Sequence, residues 1–78
     1  LMKFHLELTA GRFIRKSIRQ NLENTKKKLE FNFPECRVLV TESKSIWESV
    51  FYIEGKDIQD SAANDVKRWI NQLKECEN

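Results

Sequence analysis

Residues 46–73, IWESVFYIEGKDIQDSAANDVKRWINQL, hold two periodicities back to back. Ile46 to Glu54 is rich in β-branched and aromatic residues, among them Trp47, Val50, Phe51, Tyr52 and Ile53, which is the composition of a strand. Gly55 ends that strand. Asp57 is a candidate N-cap, and Asp60 sets negative charge in a first turn, where the helix dipole favours it. Beyond them Ile58, Ala62, Val66, Trp69, Ile70, Leu73 and Cys76 fall on one helical stripe, with Lys67, Arg68 and Lys74 toward its end.

Working upstream, Cys36, Val38 and Val40 alternate with Arg37, Leu39 and Thr41 and form a strand that pairs with Ile46 to Glu54 as an antiparallel hairpin across the polar loop Glu42 to Ser45. Leu29, Phe31 and Phe33 also alternate, so the extended stretch is expected to begin at Leu29 and to be interrupted near Pro34, where a ladder hydrogen bond is lost. Before it, Ile14, Ile18, Leu22 and Leu29 recur at helical spacing, with Thr25 in the same stripe. Phe13 falls away from that stripe. Either its ring is exposed, or the backbone bends between Phe13 and Ile18 and divides one long helix into two. At the start, Met2, Phe4, Leu6 and Leu8 alternate with Lys3, His5, Glu7 and Thr9 as a half-buried strand, which Gly11 breaks.

The resulting order is strand, helical region, strand, strand, helix. It is met by one α+β domain over residues 1–78, with a three-stranded antiparallel-type sheet and helices packed on one face. A chain of 78 residues has room for one core. Apolar residues at 40% and charged residues at 33% describe a folded domain and exclude a disordered segment. No apolar run reaches the roughly 20 residues of a membrane-spanning helix, and no secretory leader pattern opens the chain. Two dispersed cysteines argue against a disulfide framework, so the expected compartment is intracellular, cytoplasmic or nuclear. The expected setting is a short protein with an added leading residue or a module of a larger protein or assembly.

The net charge of +2 is unevenly spread. Arg12 to Lys28 carries seven cations against Glu23 alone, while the remainder carries seven basic and eleven acidic residues. That asymmetry points to an anionic partner.

Set in this order, the chain resembles a K-homology (KH) domain of the first type, laid out as strand, helix, turn, helix, strand, strand, helix. Gly11-Arg12-Phe13-Ile14 resembles the start of the first helix, and Ile18-Arg19-Gln20-Asn21-Leu22-Glu23-Asn24-Thr25 the second. Val50 to Gly55 followed by Asp57 to Leu73 resembles the last strand, glycine and closing helix. The family's Gly-x-x-Gly loop, whose small residues let the backbone approach phosphates, is replaced by Arg15-Lys16-Ser17, so the resemblance is to a degenerate member.

The resemblance and the charge together imply weak, salt-sensitive binding of single-stranded RNA or DNA along Arg12, Arg15, Lys16, Arg19, Lys26 and Lys27, with Lys44 closing a groove from the hairpin. The alternative is a protein-interaction or spacer module without nucleic-acid affinity, the cations then being a solvated helix face. Trp47, Phe13 and Tyr52 arbitrate. Two of these rings exposed together make a protein-contact patch the better reading, because aromatic anchors dominate such interfaces.

Catalysis is not expected. His5 reads as an exposed strand residue, Cys36 as a core thiol, and Asp57, Asp60 and Asp65 as capping and solvating groups. Ser43 and Ser45 have no histidine beside them in sequence. One histidine and two separated cysteines do not assemble a four-ligand metal set, and no cofactor is implied.

Overall fold

The computed structural model describes Leu1 to Glu75; the expectation that Cys76 joins the last apolar stripe lies outside the described residues. Strand β1 (Met2–Gly11) is followed by helix α1 (Arg15–Asn32), strands β2 (Arg37–Lys44) and β3 (Glu48–Ile58), a single 3₁₀ turn at Asp60–Ala62 and helix α2 (Ala63–Glu75). The three strands form one sheet in the order β1-β3-β2, and β3 is antiparallel to both neighbours. The fold is therefore α+β, with an antiparallel three-stranded sheet and both helices over one face.

Period-two patterning decides which side of the sheet is buried. Leu6, Leu8 and Ala10 of β1, Phe51 and Ile53 of β3 and Val38 of β2 meet Ile18, Leu22 and Leu29 of α1 and Val66 and Leu73 of α2 in one core. Leu22, which is fully buried, gains about 1.5–3 kcal/mol from leaving water. The opposite face stays open and carries Lys3, His5, Glu7, Tyr52, Glu54 and Thr41. There His5 and Tyr52 pack ring to ring at 5.9 Å, and His5 Nδ1 lies 3.0 Å from Glu54 Oε1.

Four sequence expectations are corrected. The Leu29–Phe33 stretch is the last turn of α1 and not a strand. Leu29 satisfies both periods, and the helical one prevails because it buries Leu29 completely under the stripe of Ile18 and Leu22. Phe31 is consequently thrown into solvent, 83% exposed, and Phe33 folds back to 6.1 Å from Trp69. The hairpin loop lies later than expected, at Ser45 to Trp47, so Ile46 and Trp47 are loop residues. Gly55 does not end β3. It sits inside the strand, where a Cβ would be driven into the Phe4 ring, so its lack of a side chain lets that ring lie on the sheet. Asp57 caps no helix; it bulges at the end of β3 with a φ of 59°, and the helical region starts later, at Asp60.

Of the two readings for Phe13, exposure is correct. Arg12 to Ile14 form a turn, and α1 then runs unbroken for 18 residues, with Arg15, Lys16 and Ser17 as its first turn.

Candidate functional site

The β1–α1 turn and the β2–β3 loop converge at one end of the sheet, and each is held by its own backbone. Ile14 N–H donates to Gly11 O at 3.1 Å, closing the first. In the second, Ser45 N–H donates to Glu48 O at 2.8 Å, while Glu48 N–H donates back to the Ser45 hydroxyl at 3.2 Å. Arg12 N–H donates to Trp47 O at 2.9 Å and joins the two. Arg15, at the start of α1, donates from Nη1 to Ser45 O at 2.5 Å and fastens the loop to the helix.

These ties hold three large apolar side chains in water. Phe13 is 90% exposed, and Ile46 and Trp47 are each 72% exposed. The Arg12 guanidinium lies 5.2 Å from the Phe13 ring centroid and 5.5 Å from that of Trp47, so one cation bridges two rings. Gly11, Arg12, Phe13, Ile14 and Trp47 line a shallow hollow of about 340 Å³ between them. Lys16 on α1 and Lys44 at the end of β2 add exposed positive charge on the two elements that flank this end, with Glu48 as the loop's own carboxylate.

The remaining cations singled out from sequence divide. Arg19 is turned inward to β2, where its Nε donates to Glu42 Oε1 at 2.7 Å and its Nη2 to Oε2 at 2.8 Å. The buried Ser49 hydroxyl donates to the same carboxylate at 2.6 Å. The hydrogen bond from Arg19 is the main reason that the Glu42 carboxyl is held down at about 2, and it raises the Arg19 guanidinium in turn. Lys26 and Lys27 lie on the second half of α1, roughly 16 Å along the helix from Arg15 at the standard rise. Lys28 leaves by the other flank, with Nζ 4.5 Å from the Trp69 ring centroid. The structure thus gathers Arg12, Arg15, Lys16 and Lys44 around the aromatic end and separates Arg19, Lys26 and Lys27 from it.

Tyr52, the third ring in question, belongs elsewhere. It is half-buried on the open sheet face, and a hydrogen bond with Glu7 raises its phenol above the usual range. Ile46 escaped the sequence reading because an isoleucine beside a tryptophan looks like strand. The signal against that reading was Ser45 and Glu48 flanking the pair, a short polar bracket that closes the loop on itself.

Cys36 is buried, and desolvation, followed by the nearby Glu30 charge, pushes its thiol up, away from the reactive thiolate. A larger hollow of about 660 Å³ lies toward the other end of the sheet, where Lys3, His5, Arg37 and Lys56 share the lining with Glu30 and Glu54. Its lining therefore carries charges of both signs. No helix among the described residues is long and apolar enough to cross a membrane. No family model, curated protein sequence or solved structure matches the chain.

Proposed function

We propose that this chain is a non-catalytic binding module of KH-like layout that docks a protein partner on Phe13, Arg12, Trp47 and Ile46. The observation that carries the reading is the exposure of Phe13 and Trp47 side by side across one guanidinium. Tryptophan and arginine are the residues that most often anchor protein interfaces. Both loops are closed by their own hydrogen bonds, so little conformational entropy is lost when they are covered. The fitting partner presents an apolar cleft for the rings and carboxylates around it for Arg12, Lys16 and Lys44. The strand order β1-β3-β2 with two helices on one face supports the KH-like layout, from which the unbroken α1 departs.

Weak, salt-sensitive binding of single-stranded RNA or DNA is the second reading. It is favoured by Lys16 and Lys44, which are exposed and form no ion pair among the described residues, on the elements that flank rings able to stack on bases. It ranks lower because Arg19 is closed by Glu42 and Arg15 by loop carbonyls.

A photo-crosslinking amino acid placed at position 13 or 47, in cells that express the protein, separates the two. The expected result is the same protein captured from both positions, not from a probe at Lys67 on α2, and lost on Arg12→Glu. No shared protein, together with low-salt binding of labelled single-stranded RNA that falls on reversing Arg15, Lys16 and Lys44 to glutamate, overturns the protein reading in favour of nucleic acid.

A further inference from the structure

The sheet has two edges, and they are built differently. On β2 the inward-facing row contains Glu42, closed by Arg19 and Ser49, and the strand begins with Arg37 and ends with Lys44. An inward charge and cationic ends are devices by which proteins protect an edge strand from pairing. On β1 the inward row is Met2, Phe4, Leu6, Leu8 and Ala10, apolar throughout, in a strand of ten residues without proline. The register irregularity between Met2 and Phe4 places the extra residue on β3, so β1 itself stays regular. No strand among the described residues pairs with its outer side.

We infer that β1 pairs antiparallel with β1 of a second copy, centred on Leu6, to make a continuous six-stranded sheet. A centre on a residue keeps inward side chains opposite inward ones, as a two-residue period requires. Centring on Leu6 sets Leu6 on Leu6, Phe4 on Leu8 and Met2 on Ala10 over the cores. On the open face it sets His5 opposite Glu7 in both directions, a ring N–H donor against a carboxylate. Centring on Glu7 opposes two carboxylates, and centring on His5 shortens the ladder to Met2–Leu8. Leu6-centring alone uses the strand from Met2 through Ala10 with complementary pairs. The interface is a single strand pair and therefore small, which makes the dimer weak and concentration-dependent.

Sedimentation equilibrium on the unaltered protein, on Glu7→Lys, on His5→Glu and on an equimolar mixture of the two variants tests this. The unaltered protein is expected to approach twice its monomer mass as concentration rises into the high micromolar range. Each variant alone opposes like or mismatched charges and dissociates at roughly fivefold higher concentration. The mixture restores His5 against Glu7 and adds a lysine against a glutamate, so it re-forms the dimer. Circular dichroism confirms that both variants are folded, and mixing gives a gain of assembly that a folding defect does not imitate. A strictly monomeric unaltered protein, variants that dimerise as well as it does, or a mixture no better than its components overturns the inference.

Discussion

Arg12 and Arg19 lie close together in sequence and count equally in the basic run, yet the fold uses them in opposite ways. Arg19 reaches under α1 to Glu42 and Ser49 and is spent on holding helix to sheet. The Arg12 side chain turns outward between two exposed rings and makes no tie to the interior, the residue's link between the two loops being made by its backbone. A net charge of one segment therefore does not measure what is available to a partner. What distinguishes the two arginines is whether a carboxylate on a neighbouring strand faces the helix, and that depends on register.

The comparison is broken most severely if α1 is held to the sheet by its charges and not by its apolar stripe. Leu22→Ala removes a fully buried side chain between α1 and the sheet and is expected to cost about 2–5 kcal/mol in urea or thermal unfolding. Glu42→Gln is expected to cost less than Leu22→Ala under the same conditions, because the amide retains hydrogen-bonding capacity and the pair is partly solvated. The reverse order would make the Arg19–Glu42 contact the principal tie.

The second test uses pH. Glu42 has a native value of about 2 against an ordinary 4.5, so its ionised form is favoured by folding. A depressed carboxyl contributes stability that is fully present above its unfolded value and lost as pH falls through the native one. Thermal unfolding of the unaltered protein is therefore expected to weaken from about pH 4.5 down toward about 2, and the Glu42→Gln protein to show a flatter profile over that window. Parallel profiles would mean that another carboxylate dominates acid sensitivity and that the interior tie is weaker than its geometry indicates.

The elements that obeyed a single period were legible in sequence. Strand β1, the apolar stripe of Ile18 and Leu22, the antiparallel pairing of β2 with β3, though not the place of their loop, and the buried Val66 and Leu73 of α2 appear as their spacing implies. The misreadings lie where two periods fit the same residues or where one side chain was asked to mark a boundary. Leu29 belongs to both a helical and an alternating series, and only packing under α1 decides between them. Gly55 and Asp57 look like a stop and a cap, but the Phe4 ring and the bulge at the end of β3 use them instead. The aromatic end was half legible. Phe13 showed itself by being out of phase, whereas its meeting with Trp47 depends on two loops far apart in sequence and on the Arg12–Trp47 backbone bond.

The smallest expected stability effect is the one most informative about the surface. Trp47→Ala takes away a ring that is 72% in water and whose backbone, not its indole, ties the two loops. What is lost from the fold is one exposed cation–π contact, worth about 0.5–1 kcal/mol at most, and Arg12 retains the other through Phe13. Unfolding in urea should therefore shift by less than about 1 kcal/mol, with an unchanged slope. Capture of the partner should fall severely, since truncating a central tryptophan commonly costs 2 kcal/mol or more of binding by order of magnitude. Should Trp47→Ala destabilise the protein as Leu22→Ala does, the aromatic end is a structural clasp like Arg19 and Glu42, and the contrast between the two arginines disappears.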